Sequence, residues 1–277
     1  MNELLISEIA SEEKDLLQTL MLIEETVFQD TGDLAIAQEN ASSDDLNCLD
    51  DLIAQCQMVI DDIESPVERA ECLLNELFYN HLFVDIYHPV WPIASYTLVS
   101  GISQRLIAPV LKAVVIQEII TECGFDVDIV YVPHKIMLRI TCDEQYAIIF
   151  DPVNGESLNW HELDNRLDEL EGDPSQQTLE TMRHESILTE HLHSLKNTLM
   201  REQKFDKALK CVDLLLSLKP NDPLQRRDRG FLLHQLDCFK VAVDDYKYFV
   251  EKCPKDPTAQ ILKTQLEKIN LAETVFH

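Results

Sequence analysis

The sequence predicts an α+β chain, mostly helical, with one small antiparallel sheet. Between Ile107 and Asp151 a helix-like run, Pro109–Cys123, is followed by three alternating segments. Elsewhere long amphipathic runs dominate, and only 6 Gly occur in 277 residues. Near the C-terminus, chain-punctuating residues recur at one fixed spacing of 34 positions.

Apolar residues make up 45% of the chain, enough for a packed core rather than disorder. The formal net charge of -27 speaks against nucleic acid and anionic membrane as partners, since both require basic surface. It leaves solubility as the ordinary explanation and a basic protein as the partner it would suit. The opening Met1-Asn-Glu-Leu-Leu lacks a basic leader region, and no run reaches the ~18 apolar residues of a membrane span, so a cytoplasmic protein is expected. The eight cysteines are scattered without a Cys-x-x-Cys pair, unlike a disulfide framework or a zinc site. No cofactor is expected.

Residues 1–80 read as an acidic helical lobe: twenty Asp and Glu against Lys14 and Arg69, a net of −18 out of −27. Apolar residues recur at helical spacing in Leu16, Leu17, Leu20 and Ile23, then in Leu49, Leu52, Cys56 and Ile60. Ser43, Asp44 and Asp45 suit an N-terminal cap for the second run. Asp33–Ser42 between them reads as loop or a short helix. A third run, residues 66–86, carries Leu73, Leu74, Leu77 and Phe78 on one side; His88-Pro89 and Trp91-Pro92 then break regular structure. A short helix ending near Gly101 is expected before Arg105. Pro109 fits the first turn of the next helix, which is apolar around most of its girth and therefore central.

Strands are expected at Val127–Val132, Lys135–Thr141 and Tyr146–Asp151. With Asp143-Glu144 as a two-residue connection, Leu138 would face Ile149 and Ile136 would face Asp151. His134 and Asp151 would then be diagonal neighbours on one face; an odd-length connection would separate them. Asn154-Gly155 is a turn signal, and Asn159-Trp-His-Glu162 resembles a capping box opening a helix through Leu170. The domain boundary is placed near Glu171–Ser175, giving a core over residues 81–175 and a tail over 176–277.

In the tail, Ala208 and Ala242, Pro220 and Pro254, Asp222 and Asp256, and Pro223 and Pro257 are each 34 residues apart, the tetratricopeptide period. Gly230 supplies the small residue for close helix packing; its counterpart, Lys196, fits poorly. His184, Glu190, His191 and His193 hint at a metal, but His191 and His193 point to different faces, so none is expected.

The helix with Pro109 and Glu118, the His134 strand and Phe150-Asp-Pro-Val-Asn-Gly155 resemble the transglutaminase-like (papain-like) domain of the SirB-type bacterial proteins. Arg227-Asp-Arg229-Gly230, Gln235-Leu-Asp-Cys238 and Tyr248-Phe-Val-Glu-Lys-Cys253-Pro254 resemble the tail of the same group. In active transglutaminase-like enzymes a Cys begins the central helix, a His follows on one strand and an Asp on the next. The resemblance thus implies His134 and Asp151 as a vestigial base and orienting acid. The nucleophile does not carry over: the helix begins Pro109-Val-Leu-Lys-Ala113, and the Gly usually found before the His is absent from Val132-Pro133-His134.

The expectation is a non-catalytic interaction or adaptor protein on a degenerate transglutaminase-like core. Arg227 and Arg229, basic residues in an acidic chain, are its candidate contacts for a partner carboxylate, with pairing to acidic neighbours as the plainer reading. The alternative is a cysteine or serine hydrolase or acyltransferase with a relocated nucleophile working with His134 and Asp151. Cys123 is ill placed for this, about 20 Å from the helix start at ~1.5 Å per residue. Cys142 lies at the hairpin tip, and Ser95, Ser100 and Ser103 precede the helix.

Overall fold

The structure, a computed structural model, describes residues 15–28, 43–81, 83–132, 135–159, 161–162 and 179–275. The fold is α+β and mostly helical, with an antiparallel sheet of order β1-β2-β3. The described residues form two compact units, divided in the chain between His191 and Leu192. No single described helix is long and apolar enough to cross a membrane. The expectations for Asp33–Ser42, His134, the helix beyond Glu162 and the boundary near Glu171–Ser175 lie outside the described residues.

In the first unit, α1 (Leu16–Phe28) buries Leu16, Leu17, Leu20 and Ile23, and Asp15 Oδ1 caps it by accepting Leu17 N–H at 2.9 Å. α2 (Ser43–Ile60) buries Leu52, Cys56 and Ile60. α3 (Pro66–Asn75) starts at Ser65, whose hydroxyl accepts Glu68 N–H at 3.4 Å. It runs into a π-turn, Glu76–Asn80, so the helical stretch stops short of residue 86. A 3₁₀ turn (Ile93–Tyr96) precedes α4 (Leu98–Gln104). Gly101, expected near the end of α4, lies inside it, where an added Cβ would come within 3.1 Å of Ile107 Cγ1. The helix closes instead at Arg105, with φ 56°.

α5 (Pro109–Glu122) is central, as its sequence predicts. Val110 through Ile116, Ile119 and Ile120 are all buried, and Gly124 ends the run at φ 84°. α5 packs on β1 (Asp126–Val132) and β2 (Lys135–Thr141). β3 (Ala147–Phe150) completes the sheet. Thr181 bridges Val130, and Met182 N–H donates to Ile129 O at 2.8 Å on the outer side of β1.

The β2–β3 register differs by one residue from the sequence expectation. Leu138 pairs with Phe150 and Ile140 with Ile148, leaving Cys142–Tyr146 as a five-residue connection. The cause is local: Asp143 Oδ1 accepts the N–H groups of Gln145 at 2.7 Å and Tyr146 at 2.8 Å, closing a wider turn than Asp143-Glu144 alone would make. Because side chains alternate, one residue of register exchanges faces.

The second unit carries the repeat. α6 (His184–Arg201) runs into it from the first unit, followed by α7 (Phe205–Leu218), α8 (Pro223–Gln235), α9 (Phe239–Lys252) and α10 (Pro257–Val275). α7 and α9 are both 14 residues long. Each follows a residue at positive φ, Gln203 at 59° and Asp237 at 60°. Asp222 Oδ1 caps α8 through Leu224 N–H at 2.8 Å, and Asp256 Oδ1 caps α10 through Thr258 N–H at 2.7 Å. At Gly230 an added Cβ would sit 2.8 Å from the Tyr246 ring and 3.2 Å from Ala242 O, so the small residue is needed. Lys196 is absorbed differently: buried, it donates to Gln225 Oε1 at 3.1 Å and Asp228 Oδ2 at 2.7 Å.

Candidate functional site

The first turn of α5 and the loop after β3 form a polar cluster inside the apolar core. Lys112 is fully buried, and its ammonium donates to Val153 O at 2.9 Å. The same carbonyl accepts Asp85 N–H at 2.9 Å, tying helix, loop and the irregular segment after the π-turn together. Burial pushes the Lys112 amine down to about 8; the nearby carboxylates of Asp85 and Asp151 oppose that shift.

Asp151 is buried and well occupied. Tyr87 Oη donates to both carboxylate oxygens, at 3.1 and 3.0 Å; Lys135 Nζ donates to Oδ2 at 3.0 Å and Val153 N–H to Oδ1 at 2.8 Å. The observed register explains Lys135: it projects on the side of β2 that faces Asp151 and also sits 4.6 Å from the centre of the Tyr87 ring. Asp85 Oδ1 accepts Ile86 N–H at 2.7 Å and contacts His88 Nε2 at 3.1 Å. His88 stands edge-on to Trp91, 4.7 Å between centroids. The loop is shaped by Gly155, whose N–H donates to Asp151 O at 2.8 Å and whose φ of 76° a side chain would strain.

The thiol and hydroxyl candidates are placed elsewhere or engaged. Burial raises Cys56 to about 12, and Cys123 to about 11 with Arg69 opposing. Cys142 is raised by burial, Asp143 and Glu71. Ser95 is buried and donates its hydroxyl to Pro92 O at 2.7 Å; Ser103 donates to Ser100 O at 3.1 Å.

In the tail, both candidate arginines meet acidic neighbours. Arg229 forks onto Asp245 through Nε at 2.6 Å and Nη2 at 2.8 Å, and Arg226 adds a bond at 3.1 Å to this buried carboxylate. Arg227 bonds Asp228 Oδ1 at 3.0 and 2.9 Å and lies over the Phe249 ring. A cavity of about 290 Å³ opens beside Arg226, Arg229 and Ser217. His191 is buried against Tyr96, and burial lowers it to about 4. Among the described residues no group of three or more His, Cys, Asp or Glu is arranged to hold a metal ion.

Residues 45–193 match the Transglutaminase-like superfamily. The chain belongs to that superfamily. Residues 195–267 match the Tetratricopeptide repeat. A UPF0162 protein of Vibrio cholerae is 36% identical over 53% of this chain and 56% of its own length. Protein SirB1 of Salmonella typhimurium is 34% identical over 52% of this chain and 55% of its own. UPF0162 protein BU173 of Buchnera aphidicola is 29% identical over 88% of this chain and 91% of its own. The chain thus spans about half the length of the Vibrio and Salmonella relatives it matches. The SirB-type resemblance and its two-part architecture are borne out. No solved structure matches the chain.

Sequence reasoning does not single out four members of the cluster: Lys112, Asp85, Tyr87 and Lys135. Lys112 was noted only as an unsuitable nucleophile, although it is the one charged residue between Arg105 and Glu118. Asp85 falls in the run read as helical through residue 86, and Tyr87 stands between that run and the His88-Pro89 break.

Proposed function

We propose that this protein is a non-catalytic interaction protein of the cytoplasm, an adaptor built on a transglutaminase-like domain that has lost its reaction centre. Lys112 carries this reading. Where active relatives begin the central helix with a thiol, this chain places an ammonium held by Val153 O, with Asp151 occupied by Lys135 and Tyr87. Such a network fixes the loop and helix to each other and puts a lysine where those relatives carry the thiol. The acidic lobe (1–80), core (81–175) and tail (176–277) then serve as surfaces rather than as parts of an enzyme. The tetratricopeptide repeat supports protein–protein contact in general, and Arg227 with Arg229 remain the proposed contacts on it. Eight unpaired cysteines fit a reducing compartment.

Iodoacetamide at neutral pH tests the reading, with alkylation of each cysteine followed by peptide mass analysis. The expected result is no thiol reacting faster than an ordinary exposed one, with Cys56, Cys123 and Cys211 slowest. One cysteine reacting far faster, and losing that rate in His134→Ala, would restore the alternative of a hydrolase or acyltransferase with a relocated nucleophile acting with His134 and Asp151. Capture of a partner by the parent but not by Arg227→Ala would support use of the tail surface; unchanged capture of every partner would remove it.

A further inference from the structure

A second surface lies in the first unit and shares Gly155 with the loop of the Lys112 cluster. A groove of about 440 Å³ runs between the α3–π-turn segment and β3, within the size range of ligand sites. Leu74, Phe78, Ile149 and Leu158 lie beneath it, Phe78 and Ile149 almost wholly buried, while Glu71, Asn75, Tyr79 and Ser157 make most of its exposed lining polar. The floor is rigid. Phe78 stands edge-on to Phe150 at 5.9 Å, and its ring lies where a Cβ at Gly155 would come within 2.5 Å. The π-turn that presents Phe78 and Tyr79 is a geometry often found at functional sites.

Two further features indicate what fits. Leu158 N–H donates to Ile149 O at 2.8 Å, so Ile149 turns its backbone polar groups away from β2. Ala147, two residues earlier on the same strand, does the same, and its N–H and C=O meet no backbone partner among the described residues. One rung of sheet edge therefore opens onto the groove. Charge is the second feature: among the described residues no Lys or Arg lines the groove, Glu71 is exposed at its rim, and Tyr79 is 70% exposed. The negative field extends to the hairpin tip, where Glu71 and Asp143 reinforce the effect of burial on Cys142.

We propose that this groove binds a short, extended, basic segment of a partner protein. The segment adds main-chain bonds at Ala147, lays the alkyl stem of an arginine or lysine on the half-buried Leu74 and Leu158, and sets the cationic end against Glu71. Tyr79 offers the same cation a ring face. The assignment rests on the interaction-protein reading, but the thiol-reactivity assay tests that reading separately.

The probe is a dye-labelled, end-capped hexapeptide alternating arginine and valine, titrated by fluorescence anisotropy into the full chain. A glutamate-for-arginine peptide serves as its control. The arginine peptide binds and the glutamate peptide does not. Glu71→Lys weakens binding by at least about tenfold, whereas Glu251→Lys, the same charge change at a 75% exposed site on α9, costs less than about twofold. Tyr79→Ala weakens binding without altering the far-ultraviolet circular dichroism, and the Ala147 amide exchanges more slowly in the complex. Absence of binding up to about 1 mM peptide overturns the proposal. So does equal loss in Glu71→Lys and Glu251→Lys, which would mark diffuse attraction to an acidic chain, or unchanged exchange at Ala147.

Discussion

Replacing Lys112 by methionine tests whether the buried ammonium is held as the geometry describes. Methionine keeps the length and removes the titration. In the folded chain burial lowers the amine from 10.5 to about 8. The unfolded chain therefore binds more protons between those values, and stability from this group is full above pH 10.5 and lost as pH falls through 8. A displacement of this size corresponds to about 3 kcal/mol over the whole window. Between about pH 7 and about pH 9 the linkage relation assigns roughly 1.3 kcal/mol of it. The groups facing the amine are Asp85 from the irregular segment and Asp151 beyond β3, with Lys135, Tyr87 and His88 bonded to those two carboxylates. Cys56, Cys123 and Cys211 slope the other way above about pH 9, because burial raises them, but they do so in both proteins and cancel in the difference. Urea unfolding followed by the emission of buried Trp91 is the assay. The parent gains about 1.3 kcal/mol relative to Lys112→Met from about pH 7 to about pH 9. Parallel pH profiles would refute the buried, locked ammonium and with it the main support for a lost reaction centre.

Three further outcomes follow from the packing. Gly230→Ala destabilises the tail by about 1–3 kcal/mol in thermal unfolding, although alanine is the better helix former, because its Cβ meets Tyr246 and Ala242 O. Asp245→Asn costs about 2 kcal/mol by the same assay, since it leaves Arg226 and Arg229 without their shared carboxylate; their partial exposure keeps the loss below that of a dry ion pair. His191, lowered from 6.5 to about 4 by burial, gives stability that is full above pH 6.5 and lost as pH falls through 4, so His191→Leu flattens the acid limb of the profile by up to about 3 kcal/mol.

The two halves of the chain differ in how much their sequence reveals. The tail was readable because its determinants are local and occur twice. Asp222 and Asp256 cap helices, Gln203 and Asp237 turn the backbone through positive φ, and α7 and α9 have equal length, all at one interval. Errors at single positions cannot hide such a period. Lys196, which breaks the pattern, is accommodated by Gln225 and Asp228, partners chosen by tertiary contact and invisible to spacing. The central helix was readable for a similar reason: a run apolar around most of its girth is buried.

The site was less readable because it depends on one carboxylate in a loop. Asp143 caps the hairpin turn through two backbone N–H groups and widens the connection to five residues. That shift brings Lys135 rather than an even-numbered neighbour toward Asp151. Binary patterning could not decide the matter, since β3 is apolar on both faces, Ala147 and Ile149 on one and Ile148 and Phe150 on the other. The cluster also draws Asp85 and Tyr87 from a segment without regular structure, where periodicity carries no signal. Lys112 marks what remained legible. A lysine enclosed by Val110, Leu111, Ala113, Val114 and Val115 on a buried stretch of helix cannot reach water along that helix. Its charge must be answered by carboxylates or carbonyls from another element, and Asp85, Asp151 and Val153 supply them. A charged residue alone in such a run is thus evidence of a buried polar site even when it is the wrong residue for the family's chemistry.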